Sequence, residues 1–157
     1  MKKLITILTV SNLIACSLIF LPSFRNEINL KAKASSIEGC WRLVQDIKLG
    51  KKVPKLQLQF KSFNDGIYTI YMTNPDGTFH GAGAGTYKID GNKFVETFNY
   101  YSDSTWVNCA DEQEWKIVGD TLIVRGFKKV FDRSGKQMPS DMWGGDKFVQ
   151  KLVKAKL

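Results

Sequence analysis

The chain has 157 residues, 43% hydrophobic and 24% charged, with a formal net charge of +8. Half of that charge belongs to Lys2, Lys3, Arg25, Lys31 and Lys33, set against Glu27, at the N-terminus, and the remaining lysines are scattered or gather at the C-terminus. No concentrated basic face interleaved with aromatics results, which excludes nucleic acid as the partner, and the length allows one domain of ordinary size.

The first residues read as an export signal. Lys2 and Lys3 precede a run from Leu4 to Leu21 that is apolar except for Thr6, Thr9, Ser11, Asn12 and Ser17. This is the basic and then apolar order of a secretory leader. Ala32-Lys33-Ala34 before Ser35 is an A-x-A cleavage pattern, which divides the chain into a leader, 1–34, and a mature domain, 35–157. Leu13-Ile14-Ala15-Cys16 offers an alternative, a lipobox in which Cys16 is lipidated. An uncleaved anchor fits less well, because a span needs about 20 predominantly apolar residues. Exported protein is periplasmic or secreted, and membrane-attached only if Cys16 carries lipid.

From Gly39 onward the dominant signal is two-residue alternation. It predicts strands over residues 39–48, 56–63, 67–73, 85–90, 93–101, 113–118, 121–127 and 147–153. Trp41, Leu43, Gln45 and Ile47 share one face of the first, and Leu56, Leu58 and Phe60 one face of the second. Asn64-Asp65-Gly66, Asn74-Pro75-Asp76-Gly77, Gly91-Asn92 and Gly119-Asp120 read as turns. The run Gly81-Ala82-Gly83-Ala84-Gly85 lacks the Gly-Lys-Ser/Thr ending of a phosphate loop and has no helix pattern after it. It reads as a place where backbones approach closely or a bulge bends the sheet. Short helices are expected at most near Ser35 to Glu38 or around Pro139 to Trp143. The fold class is all-β: an eight-stranded antiparallel up-and-down barrel, with room for side chains or one small ligand.

Three segments carry a resemblance. They are Gly39-Cys40-Trp41-Arg42-Leu43-Val44, then Gly85-Thr86-Tyr87-Lys88-Ile89-Asp90-Gly91 leading into Phe94-Val95-Glu96-Thr97, then Trp115-Lys116-Ile117-Val118-Gly119-Asp120-Thr121-Leu122. In order and spacing the chain resembles bacterial lipocalin-like domains of the calycin superfamily, over roughly Ile37 to Leu152. The resemblance implies a meander barrel whose base is plugged by Trp41 behind Gly39, and ligand binding as the general theme. It departs in one respect. Lipocalins stack an Arg of the last strand over that Trp, whereas the last strand here offers Lys147 and Lys151, leaving a Lys as the cation over the ring.

Candidate site residues follow from the faces. Glu96 shares a face with Phe94, Phe98 and Tyr100, so an inward register puts a carboxylate among aromatics, where it needs a partner. Arg125, Arg42, Tyr68 and Gln150 are the candidates. Such a carboxylate is either a structural ion or a polar anchor for a ligand. Arg125 would clamp a ligand carboxylate if inward; outward, it is surface charge. Trp106 and Trp143 sit on long loops and either rim the barrel mouth or anchor those loops. Asp111, Glu112 and Glu114 read as surface charge at a loop end. Cys40 and Cys109 are an even pair for an oxidising compartment, and either bridge or remain two small buried thiols. There is no C-x-x-C spacing, and the only histidine is His80, so no metal or other cofactor is expected.

The expectation is an exported binding protein for a small apolar or amphipathic molecule, with Glu96, Tyr100, Arg125, Tyr68 and Trp106 around it. The alternative is a solid barrel serving as a structural or protein-interaction module. Catalysis through Glu96 lacks a second group, so no enzyme is expected. Mass spectrometry of the protein from its host should find an N-terminus at Ser35; a diacylglyceryl mass on Cys16 would establish the lipoprotein reading, and an intact Met1 in the cytosol would refute both.

Overall fold

A computed structural model describes residues 36–54 and 56–156. The expected leader over 1–34, with its lipobox Cys16, lies outside the described residues. The strands run in chain order: β1 Gly39–Lys48, β2 Lys51–Lys52, β3 Gln59–Asn64, β4 Ile67–Thr73, β5 Phe79–Asp90, β6 Lys93–Tyr101, β7 Ala110–Val118, β8 Thr121–Phe131 and β9 Val149–Lys154. From β3 to β9 each strand pairs antiparallel with the next, β1 pairs with β3, and a β1–β9 ladder closes the ring. β2 is a two-residue annex on the end of β1. The barrel is thus closed, eight-stranded and up-and-down, as the alternation predicts. Closure leaves the ring strands no free edge for another chain to pair with.

The turns stand where the sequence places them. Asp65 and Gly66 both take positive φ, 47° and 77°, in the β3–β4 hairpin, the backbone that a two-residue hairpin loop requires. Several strands run longer than expected. β5 begins at Phe79 and takes in the whole glycine-alanine run, β7 begins at Ala110, and β8 reaches Phe131. A single turn of 3-10 helix covers Ser104–Trp106, and Met142–Lys147 forms short 3-10 turns broken at Trp143–Gly145.

The end of the barrel holding the start of β1 is packed solid. Trp41 is buried with Ile37, Leu43, Phe63, Tyr87, Phe94, Leu122 and Leu152. Its indole N–H donates to the Ile37 carbonyl at 2.6 Å. Phe63 meets Tyr87 and Phe94 edge-on, at 5.1 and 6.1 Å between centroids. Gly39 has φ +114°, a backbone that residues with a Cβ rarely adopt. The cation over the Trp41 ring is Lys154, 4.0 Å from the centroid. This corrects the expectation of Lys147 or Lys151, because β9 runs one residue past the predicted strand end. Lys154 also donates to the Glu38 carbonyl, tying the last strand to the segment that enters the first.

Three departures from simple alternation reset which residues face inward. Register shifts between Leu43 and Gln45 in β1, so Asp46 is buried rather than on the outer face. A second shift falls between Ala84 and Gly85, where Gly85 pairs with Phe98 and Ala84 with Tyr100. The extra residue, Asn99, turns Tyr100 outward and Tyr101 inward. In β3 the expected faces are reversed: Gln59 and Phe63 are buried, with Lys61 between them on the same face, and Leu58, just before the strand, is exposed. A shift of one residue exchanges both faces of a strand.

Cys40 and Cys109 are free thiols. Cys40 is at the start of β1, at the packed end, and Cys109 precedes β7 at the opposite end, so the length of the barrel separates them and the bridge is ruled out. Replacing Trp41 with Ala removes the plug and should lower stability by about 3–5 kcal/mol in chemical denaturation. A loss below about 1 kcal/mol would show that the plug contributes little.

Candidate functional site

Above the packed base the barrel is hollow. A cavity of about 560 Å³ opens at the end where β1, β4, β6 and β8 finish, within the 300–1,000 Å³ range of small-molecule sites. Its floor is polar. Lys61, Tyr68, Glu96, Asp111 and Gln113 form it, and Gln59 and Gln150 continue it up one wall. The upper walls are apolar, with Ile70, Met72, Phe98, Phe127 and Phe148. Tyr101, Trp106 and Trp143 stand around the mouth.

Glycines make part of that room. A Cβ on Gly83 would strike the Tyr101 ring, and one on Gly85 would overlap the Thr97 carbonyl and press on the Tyr68 ring. β5 therefore approaches β6 more closely than side chains would permit, and the aromatic rings occupy the inside of that contact.

The floor is held by charge. Lys61 Nζ lies 2.6 Å from both carboxylate oxygens of Glu96. Its ammonium also sits 5.2 to 5.8 Å from the centres of the Phe63, Tyr68 and Phe94 rings, within cation–π range. Glu96 faces Asp111 across the β6–β7 ladder, so two carboxylates share one lysine. Gln113 donates to Asp111 Oδ1 at 2.6 Å. Asp111 Oδ2 and the Tyr68 hydroxyl, both buried, have no hydrogen-bond partner among the described residues. Along the wall, Gln57 donates to Gln59 and Gln59 to Gln150, at 3.2 and 3.3 Å.

Burial sets the protonation of this layer. Desolvation pushes the Glu96 carboxyl above its ordinary value, with Lys61 opposing. Asp111 is pushed up to about 8, first by burial and then by the charge of Glu96, against Lys61 and the Gln113 hydrogen bond. At neutral pH it therefore holds its proton, and the pair carries one negative charge, matched by Lys61. Tyr68 is raised by burial and by both carboxylates and stays a neutral phenol. Asp46, near Gln150, is raised by burial, with Lys48 opposing at 3.5 Å.

The mouth is built by the two long loops. Asp103 caps the 3-10 turn by accepting from the Thr105 N–H, and also accepts from the Trp106 indole. Trp143 lies in the left-handed region, φ 58°, which costs a bulky residue energy. That backbone lays its ring on Trp106, 4.2 Å between centroids, and edge-on to Phe98 and Phe127.

Of the expected site residues, Glu96, Tyr68 and Trp106 come together around the cavity. Tyr100 does not: it is 75% exposed, and Tyr101 lines the cavity in its place. Nor does Arg125, which is outward and exposed between buried Val124 and Gly126. Lys61, and not Arg125, Arg42, Tyr68 or Gln150, neutralises Glu96. Asp111 is fully buried, against the reading of a surface patch. Its signal is the alternation Asp111, Gln113, Trp115, visible once β7 starts at Ala110. His80 lies at the rim, exposed, and bonds Asn74 at 3.0 Å. Among the described residues, no group of three or more His, Cys, Asp or Glu is placed to hold a metal ion. Compared with family models and with curated proteins, the chain matches none.

Two measurements test this electrostatic layer. Lys61→Met strands Glu96 and should cost about 3–5 kcal/mol, most of it recovered when Glu96→Leu is added. Asp111 binds its proton more tightly folded than unfolded, so its contribution is full below about pH 4 and is lost as pH rises towards about 8. Asp111→Asn should match the parent near pH 5 and exceed it at pH 9, the gap opening by at most about 1.4 kcal/mol per pH unit. A constant gap across that range would show that Asp111 titrates normally.

Proposed function

We propose that the protein is an exported binding protein of lipocalin-like type, which holds a small apolar or amphipathic molecule in the open half of its barrel. The cavity carries this reading: about 560 Å³, walled by apolar and aromatic side chains, floored by a few convergent polar groups and rimmed by two stacked tryptophans. Apolar walls supply burial and a small polar set fixes orientation, the usual division of labour in small-molecule sites. The Gly39–Trp41 plug with Lys154 over the ring supports the lipocalin-like assignment. Solidity is confined to the base, which speaks against a barrel that is merely a structural or interaction module. Lys61 lies against both oxygens of Glu96, which favours a fixed ion of the floor over an acid or base. The leader pattern supports the export part of the reading.

The neutral fluorophore N-phenyl-1-naphthylamine should bind with about 1:1 stoichiometry and quench tryptophan emission, because Trp106 and Trp143 stand at the mouth. Ile70→Trp fills the wall and should weaken that binding at least about tenfold with the β-sheet circular dichroism intact. Absence of probe binding, or binding indifferent to Ile70→Trp, would turn the reading to a structural or interaction module.

A further inference from the structure

The cavity floor has an excess of acid. Glu96 and Asp111 face one cation, Lys61, which is committed to Glu96 at 2.6 Å. Beyond Glu96, which Lys61 faces, what remains is Asp111 Oδ2 and the Tyr68 hydroxyl, two buried oxygens without a hydrogen-bond partner among the described residues, on the surface that bounds the cavity. Around them are the rings of Tyr68, Phe98 and Tyr101. We propose that the cavity takes an amphipathic amine, whose protonated head group binds Asp111 and the Tyr68 hydroxyl while its apolar tail lies between Ile70, Met72, Phe98 and Phe148. This rests on the binding-protein reading and names the ligand class within it.

Charge decides between head groups. An anionic head would set a second negative charge beside Glu96, whose one ammonium is already committed, at low dielectric, where like charges repel strongly. A hydroxyl head would satisfy one of the two groups and bring no charge to balance Asp111 when it ionises. An ammonium balances Asp111 as Lys61 balances Glu96, offers three donors, and meets aromatic faces. The same layer already holds one alkylammonium in this manner: Lys61, 2.6 Å from carboxylate oxygens and 5.2 Å from the Tyr68 ring centre. Among the described residues lining the cavity, the other lysine is Lys48, which is drawn to Asp46 at 3.5 Å and so does not supply a free positive site for a carboxylate.

The groups facing Asp111 are Glu96 from β6, Lys61 from β3, Tyr68 from β4 and Gln113 from its own strand. Tyr68 stays neutral and Lys61 is held by Glu96. Binding of an ammonium therefore displaces the proton that Asp111 retains at neutral pH, and affinity for the amine rises with pH until Asp111 is ionised in the free protein.

Decylamine, decanol and decanoate share one tail and differ only in the head, and titration calorimetry on the protein reads each directly. At pH 8 decylamine should bind at least about tenfold more tightly than decanol, and decanoate more weakly than decanol. The amine-to-alcohol ratio should grow between pH 6 and pH 8, by at most tenfold per unit, and collapse towards one in Asp111→Asn. It should persist in Glu114→Gln, which alters a carboxylate paired outside the cavity with Lys128. An amine no tighter than the alcohol, a ratio flat with pH, or a preference surviving Asp111→Asn would overturn the head-group assignment while decanol binding leaves the cavity reading standing. If none of the three binds, the cavity reading itself fails. If Asp111→Asn does not fold, the pH dependence in the parent protein decides alone.

Discussion

The ion pair between Lys61 and Glu96 is the constraint around which this barrel is arranged. Desolvating two charges costs several kcal/mol each, and the attraction between them offsets that only with close geometry and further polar support. Here Lys61 reaches both oxygens of Glu96 at 2.6 Å and lies on three aromatic faces. Those rings belong to the packed base, so the pair is seated on the apolar core and not suspended in it. Below it Trp41, Phe63 and Phe94 fill the barrel. Above it, polar side chains replace apolar ones on β3, β7 and β9, and the interior opens. A hydrocarbon pair in its place would extend the solid core upward; the charged pair ends it and leaves a floor.

The polar floor also explains how much of the molecule was legible in the sequence. Turns and strand order were, because Asp65-Gly66 and its counterparts act locally and alternation registers each strand. The base was too, since a Trp behind a Gly at the head of the first strand has few other uses. Legibility failed where inward did not mean apolar. Over residues 56–63 the apolar set Leu56, Leu58 and Phe60 competes with Gln57, Gln59, Lys61 and Phe63, and burial of apolar area favours the first. The structure chooses the second, because Lys61 has Glu96 to meet, a contact 35 residues away in sequence. Asp111 escaped for the same reason: its partners lie on β3 and β6.

Bulges account for the remaining misplacements. Alternation is a count from a starting point, and one inserted residue inverts all that follows. The insertion at Asn99 exchanges Tyr100 for Tyr101 at the mouth, and the irregularity after Leu43 turns Asp46 inward. Neither has a local signature as plain as a hairpin's. The glycine run opposite Asn99 is the nearest thing to one, since an inward Gly83 and Gly85 permit the backbone approach on which the bulge and the Tyr101 ring depend.

Stability and occupancy are opposed in this architecture. A buried oxygen without a hydrogen bond costs about 1–3 kcal/mol, and Asp111 Oδ2 and the Tyr68 hydroxyl are two such groups. The left-handed backbone of Trp143 adds strain of order 1–3 kcal/mol at the mouth. Folded domains have only about 5–15 kcal/mol in hand, so these costs are large enough to matter, and all lie in the hollow half. The solid base, with its Trp41 plug and the β1–β9 closure, is what allows the other end to remain imperfectly satisfied. Any molecule that supplies the missing hydrogen-bond partners and fills the apolar walls binds the folded state alone, and so stabilises it by mass action, with the logarithm of its concentration over its dissociation constant.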